Sequence, residues 1–298
     1  MCHLPQRRLI HCLAHWLLFS SAAQRRARSG NFHEEVPMKS KFAVAILSVM
    51  TLPTPIWGQA LDPSSFESDS VEDLCVIVTD MDGNSLVELN GQRCHEYLPP
   101  CSTFKYPNAV AALEFGAIST EYDVLPFPGG EQYLEVWEHD HHLASAFENS
   151  VLWFFQETTR RIGVDQMEGY LGRIGYGTGD IRSTELDRFW LDGTLRVTAH
   201  GQVDFLRQLY SGTLPVSSRS QRIVGRIAVH ETGPDWEFSG KTGTCILEDD
   251  RHLGWYIGHL TDGDRELVFA ANAVGDGLFG SNLRELLLSG FRANGLLD

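Results

Sequence analysis

The first structural signal along the chain is a β-branched run, Cys75-Val-Ile-Val-Thr-Asp. Asp82-Gly83-Asn84 separates it from a second short run, Ser85-Leu-Val-Glu-Leu. An Asp-Gly pair between such runs predicts a hairpin, because the tight turn needs residues that tolerate positive φ. Pro99-Pro100 then stop whatever precedes them. Ser102 falls at the start of a helical stretch that continues through Ala109-Val-Ala-Ala-Leu-Glu-Phe. Far downstream, Ser239-Gly-Lys-Thr-Gly-Thr is a small-residue segment suited to an edge strand that a ligand can approach closely. Leu253-Gly-Trp-Tyr-Ile-Gly and Glu266-Leu-Val-Phe-Ala-Ala read as the strands after it, and Ser281-Asn-Leu-Arg-Glu-Leu lies on a final amphipathic helix.

Upstream of the hairpin the pattern is that of an address. Met38-Lys39-Ser40-Lys41 is positive, Phe42 to Met50 is apolar, and Trp57-Gly58-Gln59-Ala60 ends in small residues. This order predicts a secretory signal over residues 38–60 with cleavage after Ala60, and the apolar run is too short to span a bilayer. Residues 1–37 read as upstream sequence from an early start, leaving residues 61–298 as a single exported domain without a membrane anchor. Export permits disulfides. Cys75 and Cys94 flank the hairpin turn at similar distances and can be bridged across its base, whereas Cys101 and Cys245 are expected to be small buried residues.

Charge narrows the function classes. Residues 1–60 hold 7 Lys/Arg and 2 Asp/Glu. The rest therefore holds 24 − 7 = 17 basic against 39 − 2 = 37 acidic groups, a balance of −20. Nucleic acid, which needs a basic footprint, is an unlikely partner on those numbers. Only four lysines occur, Lys39, Lys41, Lys105 and Lys241, against 20 arginines. An arginine-favouring genome explains the scarcity but not the contexts of the two lysines beyond residue 60, Ser102-Thr-Phe-Lys105 and Lys241-Thr-Gly243. Arginine stays protonated in proteins, whereas a buried lysine shifts its pKa readily.

Positions i and i+3 share a helix face, so Ser102 and Lys105 can touch, and a serine hydroxyl needs such a neighbouring base to become a nucleophile. The helix N-terminus adds unpaired amides for a developing oxyanion. Alone, Ser-x-x-Lys also reads as a helix cap beside a surface lysine, and Lys-Thr-Gly as a polar turn. Their order changes that. A hairpin, Ser-x-x-Lys, a long helical middle and then Lys-Thr-Gly on a strand resembles the serine β-lactamase and penicillin-binding protein superfamily. Ser102-Thr-Phe-Lys105, Ser150-Val-Leu-Trp153, Tyr176-Gly-Thr178, Phe189-Trp-Leu-Asp-Gly-Thr-Leu-Arg196 and Gln202-Val-Asp-Phe-Leu206 resemble its class D branch, the oxacillinase-type β-lactamases, over roughly residues 70–295.

That resemblance implies a three-layer α/β fold, with an antiparallel sheet from both chain ends and a helical region at about residues 107–235. It implies hydrolysis of the β-lactam amide bond in the periplasm. Ser102 would be the nucleophile and Lys105 the base, carboxylated by carbon dioxide to N6-carboxylysine, with no other cofactor and no metal. Trp190 would support the carbamate, Ser150 would relay a proton to the leaving nitrogen, and Lys241 would attract the substrate carboxylate. The backbone amides of Ser102 and Thr244 would form the oxyanion hole. Thr242, Gly243, Leu152 and Arg284 would line the substrate, the last gripping its carboxylate. Partners would be β-lactam antibiotics, with a homodimer left open.

Two positions depart from the family pattern, Leu152 for valine and Thr178 for asparagine, and put turnover and substrate range in question. A slowly deacylating β-lactam sensor is one alternative. A peptidoglycan D-Ala-D-Ala carboxypeptidase or transpeptidase is another, although that group typically has asparagine where this chain has Leu152. His139-Asp140-His141-His142 lacks the order of a zinc site and is expected to be a solvated loop. Gly172 to Gly179 does not lead from a strand into a helix and is no nucleotide loop.

Overall fold

The computed structural model describes residues 60–297, apart from 69, 70, 72, 183, 184, 192, 193 and 248. The segments read as upstream extension and signal peptide lie outside the described residues, Ala60 excepted, as do Asp192 and Gly193 of the Phe189–Arg196 motif.

The hairpin forms as its alternation dictates. Strand β1 (Cys75–Asp80) pairs antiparallel with β2 (Ser85–Leu89), with Val76 opposite Leu89 and Val78 opposite Val87. Asp80 closes the turn, accepting from both the Asn84 backbone (2.8 Å) and its side-chain amide (2.8 Å). The short helix α1 (Gly91–Cys94) follows and brings Cys94 back to Cys75, where the two sulfurs are bonded.

The C-terminal part contributes β3 (Val229–Thr232), β4 (Trp236–Ile246), β5 (His252–Asp262) and β6 (Arg265–Gly275), and β1 adds to β6. The resulting sheet has the order β2-β1-β6-β5-β4-β3, with every neighbouring pair antiparallel. Both chain ends thus build one sheet. Because side chains alternate across a strand, it carries two cores. Cys75, Ile77, Val268 and Ala270 face the helical middle of the chain. Val76, Val78, Leu267, Phe269 and Ala271 face the opposite side. There they meet Leu283, Leu287, Leu288 and Phe291 of the C-terminal helix, numbered α8 below (Gly280–Ala293).

The intervening helices are α2 (Lys105–Glu114), α3 (Leu143–Glu148), α4 (Leu152–Ile162), α5 (Val164–Ile174), α6 (Ala199–Tyr210) and α7 (Ser218–Ile227). Among these, α2 is buried on nearly every side. Its Ala109-Val-Ala-Ala stretch lets neighbouring helices approach closely, and Pro107 is tolerated in the first turn, where its missing N–H has no partner to lose.

The structure corrects two expectations. Cys101 and Cys245 are not free buried thiols; they form a second disulfide, with Cα atoms 5.7 Å apart. They meet because the turn before α2 packs directly on β4. His141 is not solvated either. It is buried, with Nδ1 3.0 Å from Ser145 Oγ and Nε2 2.9 Å from the Val136 carbonyl oxygen, while His142 Nδ1 accepts from the Ser145 amide and caps α3. Burial holds the proton affinity of His141 below the ordinary histidine range, with smaller contributions from His139 and His142. The cluster fixes a loop.

Candidate active site

Ser102 sits in a 3-10 turn (Cys101–Phe104) that runs straight into α2. A buried polar chain holds this turn. Thr103 Oγ1 donates to the Pro100 carbonyl (2.6 Å), Gln202 Nε2 on α6 donates to Thr103 Oγ1 (2.8 Å), and Tyr176 OH donates to Gln202 Oε1 (3.0 Å). Tyr176 and Gln202 are legible in the sequence as parts of motifs. Their joint task of anchoring the nucleophile turn is not, because three distant segments must meet to perform it.

The first position of α2 carries the lysine of the motif. Lys105 Nζ lies 2.8 Å from Ser102 Oγ, and the lysine side chain is almost wholly buried. Nζ lies over the Phe155 ring, 5.5 Å from its centre. Burial, followed by the nearby charge of Lys241, pushes the Lys105 pKa far below its ordinary value. The shift favours the neutral amine, the form whose lone pair can take a serine proton.

Lys241 comes from β4, and burial brings its pKa down to about 7. Its Nζ donates to the Thr242 carbonyl (3.2 Å) and to Thr242 Oγ1 (3.3 Å), and it lies 6.0 Å from the Phe147 ring centre. β3 pairs with β4 only as far as Ser239, so the outer edge from Lys241 onward carries no strand. Gly243 sits where that edge meets the nucleophile turn. A Cβ there would stand 3.1 Å from Thr103 Cγ2 and 3.2 Å from the Pro100 oxygen, so a side chain would need these neighbours to give by a few tenths of an ångström. Thr244 Oγ1 accepts from the Gly280 amide at the start of α8 (3.1 Å).

Ser150 lies between α3 and α4 with φ +56, a left-handed conformation, and its amide donates to the Phe147 carbonyl (3.3 Å). Among the described residues its hydroxyl bonds to neither lysine. Leu152 is half-buried at the first position of α4. Trp190 is fully buried and stacks on Phe104, with ring centres 5.3 Å apart. Its Nε1 has no hydrogen-bond partner among the described residues. A buried indole donor left unpaired is uncommon and fits a missing acceptor beside it. A carboxylated lysine side chain is an acceptor of that kind, so the residues present fit the modification.

Thr178 is not at the lysines. Its hydroxyl donates to the Thr194 carbonyl (3.0 Å) and accepts from the Arg196 amide (3.1 Å), stapling one loop to another. Arg284 on α8 is already engaged, since it pairs with Glu231 of β3 and, through Nη1, with Glu285 at 2.9 Å. Its positive charge still bears on His230, as does that of Lys241.

Among the described residues one metal-like cluster exists, Glu88, His95 and His200. The two imidazoles are stacked, with centres 4.3 Å apart and planes 20° from parallel. Ring-nitrogen lone pairs lie in the ring planes, so nearly parallel planes do not converge on one ion.

The chain matches the penicillin binding protein transpeptidase domain over residues 75–285. It is 38% identical over 183 residues to β-lactamase OXA-48 of Klebsiella pneumoniae, covering 61% of this chain and 68% of that protein. It is 35% identical over 209 residues to β-lactamase OXA-5 of Pseudomonas aeruginosa, covering 70% of this chain and 78% of that one. The chain belongs to the class D β-lactamases. The fold agrees. The solved class D β-lactamase BAT-2 superimposes with a TM-score of 0.73 at 32% identity, covering 80% of this chain and 97% of that one. In this class D enzyme the serine and the buried lysine of Ser102-Thr-Phe-Lys105 are in direct contact, and the Lys-Thr-Gly strand lies against the same turn.

Proposed function

We propose that this class D β-lactamase opens the β-lactam ring through an acyl-enzyme on Ser102, with Lys105, carboxylated by carbon dioxide, as the base for both acylation and deacylation. The reading rests most heavily on the contact between Ser102 Oγ and the buried Lys105 Nζ at 2.8 Å, with the lysine pKa lowered by that burial. Only an uncharged amine reacts with carbon dioxide, and burial supplies it. When present, the carbamate contributes a negatively charged base at the end of the lysine, and Trp190 Nε1 is the donor free to hold it.

In the proposed sequence, Ser102 Oγ attacks the lactam carbonyl while its proton leaves toward residue 105. The carbonyl oxygen takes the negative charge and is received by the amides of Ser102 and Thr244, at about 3 kcal/mol per donor in comparable hydrolases. The C–N bond then breaks as Ser150 hands a proton to the departing nitrogen and takes up in its place the one that left Ser102, which frees the base. Water gives a proton to residue 105 and attacks the ester carbonyl, and Ser102 Oγ departs with that proton, releasing the ring-opened acid. Lys241 attracts the substrate carboxylate, with Thr242 and Gly243 beside it. Arg284 would have to exchange a carboxylate of Glu231 or Glu285 for that of the substrate. Leu152 would border the water path. The curated relatives named above are β-lactamases, which does not favour the sensor or the transpeptidase reading. We place the working domain from residue 61 onward, exported to the periplasm after loss of residues 38–60.

Nitrocefin turnover with and without added bicarbonate tests this proposal. Bicarbonate should stimulate the wild-type protein. Ser102→Ala should form no covalent adduct, and Lys105→Ala should lose turnover by a factor of about 10³ or more. Full turnover by Lys105→Ala would refute the assignment of the base.

A further inference from the structure

The second disulfide lies at an unusual place in the chain. Cys101 immediately precedes Ser102, and Cys245 immediately follows Thr244, so one covalent link joins the residues flanking both amides assigned to the oxyanion hole. Those amides belong to elements separated by 142 positions, obtained from 244 − 102. No strand pairing connects the elements. Ser102 lies on a 3-10 turn, and Thr244 lies on the stretch of β4 beyond its pairing with β3. What joins them directly is the van der Waals approach at Gly243 and the disulfide.

The surroundings of the sulfurs agree with a brace. Cys101 adopts φ +53, a conformation that a residue with a Cβ holds only when its environment fixes it. Its N–H donates to the Trp190 carbonyl (3.0 Å), and Cys245 Sγ lies 3.6 Å from the Leu191 carbonyl oxygen. The bridge therefore sits between the nucleophile turn, β4 and the segment carrying the unpaired indole. Cys75–Cys94, by contrast, closes the far hairpin against α1.

We propose that the Cys101–Cys245 disulfide is a positioning element for acylation, setting the distance and orientation between the Ser102 and Thr244 amides. An oxyanion hole works because its donors are in place before charge develops, and a misplacement near 1 Å can lower a rate by about a hundredfold. The inference rests on the oxyanion assignment proposed above.

The second disulfide in the same molecule supplies the control. Single-turnover acylation by nitrocefin, KM and Tm are compared for wild type, Cys101→Ala/Cys245→Ala and Cys75→Ala/Cys94→Ala, each shown to be folded at the assay temperature. The expected result is a fall in the acylation rate constant of about 10- to 100-fold for the first double variant, with KM moving much less. The second should lose thermal stability and keep its acylation rate. Unchanged acylation in Cys101→Ala/Cys245→Ala, or an equal loss in both variants, would overturn the proposal. Should the first variant not fold, wild type partly reduced with dithiothreitol gives the same readout. Acylation must then fall with the fraction of reduced Cys101 and return on reoxidation, and failure to do so also overturns it. A wild-type protein that never carries the adduct on Ser102 by mass spectrometry would instead refute the acyl-enzyme reading itself.

Discussion

At Lys105 the burial that lowers the pKa of the amine also opposes folding. The folded protein holds Lys105 and Lys241 with pKa values below the ordinary 10.5, while the unfolded chain keeps them near it. Between the two values the unfolded state binds more protons, so stability rises with pH. For Lys241 that window runs from about 7 to 10.5, and below it the penalty is complete and constant. Replacing Lys105 by methionine removes one of these penalties. In buffer depleted of carbon dioxide, Lys105→Met should melt several degrees above wild type at pH 7, at roughly 2–4 °C per kcal/mol, while losing turnover. The gain should shrink toward pH 10. A lower Tm at both pH values would show that the lysine is not held uncharged at a cost. The pair itself was legible in the sequence because two lysines survive beyond residue 60, each inside a motif. Arg284 was less so. Its position on the last helix could be read, but not the carboxylates of Glu231 and Glu285 that occupy it.

Among the elements, the turn that carries Ser102 is held by a chain of side chains in addition to its own backbone hydrogen bonds. Gln202 reaches from α6 to bond Thr103 and Tyr176 together, with all three buried. Gln202→Leu keeps the volume, leaves the Tyr176 hydroxyl without its acceptor and removes the donor to Thr103 Oγ1, which keeps its bond to the Pro100 carbonyl; the combined cost is about 2–4 kcal/mol. The expected fall in Tm is roughly 5–15 °C. Calorimetry decides it, and a Tm within 2 °C or so of wild type would show that the chain does not hold the turn. Gly177 tells a similar story in the neighbouring loop. It has φ +62, and a Cβ would lie 2.5 Å from the Arg196 oxygen. Thr178 then bonds the same strand of loop with its hydroxyl. The departure from asparagine, which from sequence alone put substrate range in question, is occupied with holding two loops together. Hairpin, helix start and C-terminal strands were readable because each is encoded locally. The Cys101–Cys245 bridge was not, since it spans 144 positions and no local pattern announces it.

For the molecule as a whole, the division of labour follows from the sheet. Strands from both chain ends carry one core against α8 and a second against the helical middle, and the reactive groups lie where β4 outruns its edge partner and meets the start of α2. The family resemblance carried by the order of motifs implied that architecture, an antiparallel sheet from both chain ends with a helical middle. What order could not supply is the charge state at the junction of the two layers. The carbamate proposed on Lys105 would give the two buried lysines a counter-charge and the unpaired Trp190 indole an acceptor. Carbon-13 NMR of the purified protein in ¹³C-labelled bicarbonate reads that group directly. The account predicts one protein-bound carbamate resonance that disappears in Lys105→Ala and weakens in Trp190→Phe. No such resonance in active wild-type protein, or one that persists in Lys105→Ala, would contradict it.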